Sequence, residues 1–539
     1  MGRVAIVAYV LVLGGCAAAA PETVLLNGKI FTSNSAQPWA EALAIRGDRV
    51  IAVGDTATIR SKAGASTRTL DLGGRTVVPG FNDAHAHVGP HLPLVRLTVG
   101  DDPMTTDIAA ALVEALTRAG PGQLIQGSFG GRLWEDATVT RTWLDQRAPA
   151  NPVRLSAFTG HGVILNSAAL TLAGIAETTG DPEGGRFLRD PSGRLNGRGE
   201  EYADFLVARH LAQKVDAASV VQAYRAFAEE AAQFGITTIQ LMGDALPMRT
   251  IMSSLVDAGT PLRWHAYRFP IRETGNVTFD SRPHLPPQPT TLLDARGMKF
   301  ILDGTPVERL AFMRAPYADA PVELGRLNVS GERLREFVGW GYATEDPILM
   351  HAVGDGAIEA YVSAMEQTGL AEVWRQKRPR IEHGDFLMPD QRERVKALGV
   401  VVVQNPVHFL LRDILVDRVG AERAAVMQPM RSLLEAGIPL ALGSDGQVNP
   451  FLNILWASTH PGNAGEAITR EQAVTAYTRG SAYAELADKD KGHLSVGALA
   501  DLAVLTADVF TAPPGSMEGI RSVLTIVGGR VAYDAGVVR

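Results

Sequence analysis

Two histidines flank one alanine in FNDAHAHVGP, residues 81–90, directly after the apolar run TVVPGF. Residues i and i+2 of a strand face the same way, so His85 and His87 are expected to project side by side while Ala86 points away. Two neutral imidazoles converging on one point suit a divalent cation. In a chain with 12 His among 539 residues such a pair also arises by chance, so it needs support from elsewhere in the sequence.

That support comes from where other chemically able residues fall. Short apolar segments recur at 235–243 (GITTIQLMG), 262–269 (LRWHAYRF), 298–304 (MKFILDG), 348–355 (ILMHAVGD), 379–385 (PRIEHGD), 399–406 (GVVVVQNP) and 439–445 (PLALGSD). With TVVPGFNDAHAH they make eight candidate strands, and amphipathic stretches such as AASVVQAYRAFAEEAAQF lie between or before them. This βα rhythm predicts a (β/α)8 TIM-like barrel, whose reactive groups sit at the C-terminal strand ends. Those ends carry His85, His87, Lys299, His351, His383 and Asp445. Singly, each has an ordinary reading: a loop histidine, a snorkelling lysine, a helix-capping aspartate. Six of them at one end of one barrel are hard to ascribe to independent accidents.

The rest of the chain must position this end. Residues 22–75 read as short strands joined by NG, GD and GG turns, and the C-terminus returns to that style in GHLSVGALADLAVLTADVF and SVLTIVGGRVAYDAG. We expect the two ends to form one small β-sandwich, as residues 21–75 and 491–539, around a barrel spanning 76–490. About 145 residues separate the first barrel strand from the second, so 90–234 is expected to contain a cap over the barrel mouth. At 46% hydrophobic and 20% charged the composition is that of an ordinary globular enzyme. A net charge of −7 without a basic stripe argues against nucleic acid as a partner. The start, MGRVAIVAYVLVLGGCAAAAP, has one Arg, an apolar run and then small residues, the plan of a secretory signal. Leu13-Gly14-Gly15-Cys16 is similar to a bacterial lipobox and holds the one cysteine of the chain. Residues 1–20 are therefore expected to be a lipoprotein signal and anchor region, lipid-modified at Cys16. That places the protein in the bacterial cell envelope, facing the periplasm on the outer membrane, and touching the membrane only through its lipid.

The stretches PGFNDAHAH, MKFILDG, MHAVGDGAIEAY, RIEHGDFL and ALGSDG, with NGKIFTSNSAQPWAEALAIRGDRVIAVGD and SVGALADLAVL beside them, resemble the amidohydrolase superfamily. The resemblance covers residues 23–537 and falls in the branch that includes N-substituted formamide deformylases (amidohydrolase family 3). It implies a binuclear centre of two divalent ions, zinc first among Zn, Mn, Fe, Co and Ni. His85, His87 and Asp445 would hold one ion, His351 and His383 the other, and carboxylated Lys299 would bridge them. It further implies cleavage of a non-peptide or small-peptide-like C–N amide bond by a metal-bound hydroxide, with Asp445 as catalytic proton shuttle. Mononuclear deaminases of this superfamily usually carry a Glu three residues after the fifth-strand His. Here His351 is followed by Ala352, Val353 and Gly354, which favours the binuclear hydrolase. The same site would also serve cyclic amides, ureas or esters, and a non-catalytic metal-binding lipoprotein is the alternative outside enzymology. The expected partner is a small-molecule amide substrate; a homo-oligomer is left open. His161, in FTGHGVILNSAAL, and Trp134 are candidate substrate contacts. Phe129 and Phe158 are candidate lining of an apolar pocket, and Glu200 and Glu201 are either lid contacts or solvated. Two departures from the family pattern, Gly356 and Gly446-Gln447, are expected beside the pocket and bear on substrate choice.

Overall fold

The computed structural model describes residues 20–100, 102–270 and 292–538. Cys16 and the expected signal lie outside these residues. No helix among the described residues is long and apolar enough to cross a membrane.

The centre is a nearly closed barrel of eight parallel strands: β1 Phe81–Ala86, β2 Ile236–Gly243, β3 Arg263–Arg268, β4 Met298–Ile301, β5 Ile348–Ala352, β6 Arg380–His383, β7 Val401–Gln404 and β8 Leu440–Leu442. They pair in chain order, each parallel to its predecessor. All eight are buried on both faces, as a sheet covered by helices requires, although β1 and β6 carry several polar residues. The seam between the ends is made just beyond β8. Asp445 N donates to His85 O at 2.8 Å. A Cβ on Gly443 would lie 2.5 Å from His85 N, so only glycine lets the last strand approach the first this closely.

One apolar run serves two sheets. Thr76–Pro79 pairs with Leu502–Leu505 in a six-stranded sheet, while β1 begins at Phe81. Gly80 makes the transfer: a side chain there would collide with Thr237, whose nearest atoms lie 2.2 Å from its Cβ position. The six-stranded sheet also takes Lys29–Phe31, Ser522–Val527 and Arg530–Asp534. It faces a four-stranded sheet of residues 23–71 across a core that includes Leu25, Leu43, Leu502 and Leu524. The two chain ends thus form a β-sandwich beside the barrel.

The segment between β1 and β2 has its own mixed six-stranded sheet. Its order runs from Gly185–Arg189 through Leu195–Glu201, Gly162–Leu165, Val153–Ala157 and Leu124–Phe129 to Leu94–Arg96. A separate hydrophobic core including Leu112, Ile125, Phe129 and Leu155 supports it. The helix Tyr202–Ala212 follows this sheet directly.

Candidate metal centre

Five of the six strand-end residues come from inside or just past β1, β4, β5, β6 and β8, and the sixth, His87, follows β1 by one residue. Alternation along β1 sets His85 and His87 side by side, with their Nε2 atoms 3.3 Å apart. Lys299 is wholly buried rather than snorkelling, and its Nζ lies 3.3 Å from His85 Nε2. Asp445 Oδ1 is 3.7 Å from His85 Nε2 and 3.5 Å from His87 Nε2. Its Oδ2 is 3.5 Å from His383 Nδ1. The His383 ring stands 4.9 Å from that of His85 and 4.5 Å from that of His351. His85, His383 and Asp445 offer ligand atoms within 4.8 Å of one another. His383 (φ 70°) and Asp445 (φ 43°) both hold positive φ, a conformation costly for residues with a Cβ and one that clusters at working sites.

This donor set fits divalent ions. Burial pushes the His85 imidazole down to about 4, and the adjacent Lys299 adds to the effect. Burial holds His351 and His383 well below the ordinary imidazole range. All three are therefore neutral at pH 7, with lone pairs crowded into one space. Outer partners fix the rings, as metal-ligating histidines require. Glu382 Oε2 meets His85 Nδ1 at 2.6 Å, Asp244 Oδ2 meets His87 Nδ1 at 3.2 Å and Asn405 Oδ1 meets His383 Nδ1 at 2.9 Å. Burial opposes the charge of Glu382, but the Arg380 guanidinium and His85 bring it down to about 2. Burial lowers Lys299 to about 8, so a useful fraction of it is the neutral amine, the form that combines with CO2. Asp445 stays ionised: burial raises it, and the surrounding histidines, His85 first, bring it well below the usual carboxylate range.

The centre floors a cavity of about 520 Å³. The cap contributes Phe158, Thr159 and His161 to its wall. A second wall comes from residues 406–415, where Val407, Leu410, Leu411, Ile414 and Leu415 form an aliphatic strap. His161 reaches the site as expected. Its ring lies 4.7 Å from that of His351, and its Nδ1 meets Glu201 Oε2 at 2.9 Å. Glu201 is fully buried and not solvated, whereas Glu200 pairs with Arg326 at 3.1 Å. Trp134 is elsewhere: it stacks on Phe129 within the cap, 5.8 Å between rings, and is not among the residues lining the cavity. Gly446 lines the cavity. Gly356 instead packs on Phe312, whose atoms lie 2.8 Å from its Cβ position; the crowding explains why no long side chain stands there.

Several functional residues escaped the sequence reading, Asp244 and Asn405 among them; Glu382 and His408 are the most telling. Glu382 sits inside RIEH, one residue before a candidate ligand, but on a strand it points away from that ligand and toward the first-strand pair. His408 lies in the strap. Its Nε2 is 3.3 Å from Asp445 Oδ2 and its Nδ1 is 2.9 Å from Asp385 Oδ2. Burial lowers it, yet Asp385 and Asp445 together raise it to about 10. Its only sequence signal was that it follows a barrel strand.

Barrel, cap and buried His/Lys/Asp cluster define a metal-dependent hydrolase. The chain belongs to the amidohydrolase family, whose model matches residues 68–533. It is 28% identical to the protein LONG AFTER FAR-RED 3 of Arabidopsis thaliana over 95% of this chain and 91% of that one. It is 26% identical to an N-substituted formamide deformylase of Arthrobacter pascens over 95% and 98%. A solved metal-dependent hydrolase of Pyrococcus horikoshii has the same fold, with a TM-score of 0.70 at 24% identity over 92% of this chain and 99% of that one.

Proposed function

We propose that the protein hydrolyses a non-peptide or small-peptide-like C–N amide bond at a centre of two divalent ions, zinc by expectation. His85, His87 and Asp445 would hold one ion, His351 and His383 the other, with Lys299 as a carbamate between them. The observation that carries the reading is the convergence of these residues with their outer partners in one buried, cap-covered cavity. The deformylase relative, which acts on an N-substituted formamide, supports the choice of a C–N bond.

Bound there, the ions would supply Lewis acidity to the carbonyl and lower the pKa of a water. The chain's own residues do the rest. Asp445, ionised and held by His408, takes a proton from the attacking water as its oxygen bonds the carbonyl carbon. It then delivers that proton to the leaving nitrogen as the C–N bond breaks. His161, fixed through Nδ1 by Glu201, turns Nε2 toward the cavity and orients the substrate. The aliphatic strap gives an apolar substituent a place to shed water.

The test is turnover of N-acyl, N-formyl and cyclic amides by metal-loaded protein, with metal counted, in wild type and Lys299→Ala. We expect two ions per chain and turnover in wild type. The variant should hold fewer than two ions and lose activity by orders of magnitude, with partial rescue by short carboxylic acids. Full activity with two tightly held ions in Lys299→Ala would refute the bridge, and absence of turnover across the panel would refute the reaction.

A further inference from the structure

The wall that the cap lends to the cavity holds a guanidinium with little to bind. Arg154 and Ser156 sit two apart on Val153–Ala157 and both line the cavity, as alternation on a strand requires. A guanidinium has five N–H donors in a fixed fork. Among the described residues Arg154 makes one hydrogen bond, from Nη2 to Asp204 Oδ1 at 2.9 Å. Its Nε is buried without a partner, and so is Ser156 Oγ. Its side chain is 13% exposed, too little for water to serve every remaining donor. Two other buried arginines are well supplied. Arg380 donates five hydrogen bonds and Arg198 four. An Nε without a hydrogen-bond partner also occurs at Arg326, which does not line the cavity; Arg154 is the one arginine among the lining residues, so a ligand there can take up its unused donors.

The surroundings say what kind of ligand. A second cavity of about 250 Å³ adjoins the first, and His87, Arg154, Ala208 and Asp244 face both. Gln126, cross-strand partner of Arg154, lines this second space together with His91. Its one acid, Asp244, is already engaged by His87. We propose that Arg154, with Gln126 beside it, receives a carboxylate carried by the substrate. A carboxylate matches the planar fork of arginine. The single positive charge of Arg154 is already shared with Asp204, which also lines the cavity, so a monoanion held by hydrogen bonds to the remaining donors fits better than a phosphate dianion. Arg154 stands on the His87 side of the centre, and one of the four imidazole contacts of Asp445 falls there too. If Asp445 serves the leaving nitrogen, the carboxylate belongs to the amine half of the amide. The substrate class is then an N-acylated amino-carboxylate; this step rests on the proposed reaction, whereas the carboxylate site itself does not.

The experiment compares N-acetylleucine with N-(3-methylbutyl)acetamide, which differ only in the carboxylate. Binding of N-propylleucine, which has no amide to cleave, is measured in parallel by calorimetry. Wild-type metal-loaded enzyme should prefer N-acetylleucine in kcat/KM by roughly 10- to 100-fold, the range of a charge-assisted hydrogen bond. Arg154→Gln should bring that ratio near one and weaken N-propylleucine similarly, while Arg154→Lys keeps part of both. Because Arg154→Gln strands the buried Asp204, the double variant Arg154→Gln/Asp204→Asn is run beside it and should behave alike. Equal turnover of the two amides by wild type, or a preference that survives both variants, overturns the proposal. Arg154-dependent binding of N-propylleucine without turnover of either amide would leave the carboxylate site standing and remove the amide-hydrolase reading instead.

Discussion

Asp445 touches four imidazoles and is the one acid among the proposed ligands, so it separates catalysis from metal holding. Asn keeps its shape and one oxygen but cannot accept and return a proton at neutral pH. Asp445→Asn should fold and retain at least one ion, while kcat falls about 10²- to 10⁴-fold. Activity within a few-fold of wild type at every pH would end the shuttle role. Glu382 is held by Arg380 on one side and His85 on the other. Glu382→Gln should weaken metal affinity roughly 10- to 100-fold, read by competition with a chelator, and unchanged affinity would make Glu382 purely structural. His408 gives a pH prediction. Its folded value near 10 exceeds the unfolded value of 6.5, so the stability it contributes is complete below pH 6.5 and is lost as pH rises toward 10. The gap in Tm between wild type and His408→Gln should therefore be largest at pH 6 and close by pH 10; a gap that widens with pH would contradict the Asp385–His408–Asp445 contact.

Elements are placed by their glycines as much as by their apolar runs. Gly443 lets β8 meet β1, and the contact falls on His85 itself. Gly443→Ala should cost about 1–3 kcal/mol as overpacking and lower metal occupancy with it. Gly54→Ala, whose Cβ position is open, serves as control and should shift stability by no more than about 0.5 kcal/mol; equal effects would show that the seam is not tight. The eight strands were legible because each is a short apolar run ending in a polar residue, and ligand candidates could be picked from those ends alone. The split of TVVPGF at Gly80 was not legible, since an uninterrupted apolar run carries no mark of which sheet each half will join. The burial of Lys299 was equally hidden: periodicity fixes a face, while depth depends on neighbouring strands. Trp134 shows the converse, an aromatic whose place in the cap's own core depends on a six-stranded sheet that its local sequence does not announce.

At the scale of the molecule, barrel and sandwich are joined by a buried ion pair. Arg263 on β3 donates to both carboxylate oxygens of Asp501, at 2.7 and 3.0 Å, and Gly528 N adds a third bond at 2.7 Å. Asp501→Asn leaves that arginine uncompensated, and breaking such a pair costs about 3–5 kcal/mol. The thermal midpoint should drop sharply and remain a single transition if the two parts unfold together; two separate transitions in wild type would show that they do not. Location is tested at the same scale: Cys16→Ser should abolish lipid labelling and leave the signal unprocessed, and retained labelling would refute the lipoprotein proposal.

The sheet shared by the two chain ends also dictates an order of events during synthesis. Thr76–Pro79 is made early, yet its partner strand Leu502–Leu505 follows about 420 residues later. At about 5–20 residues per second that is a wait of roughly 20–80 s. Throughout it an apolar edge stands open, joined through Gly80 to the strand that carries His85. The barrel partners of His85 are complete once Asp445 is made, whereas the strand just before Gly80 still waits for its own partner. A chain ending anywhere before residue 502 would leave that edge of Thr76–Pro79 without its partner strand, and would be more than a hydrolase missing only its tail.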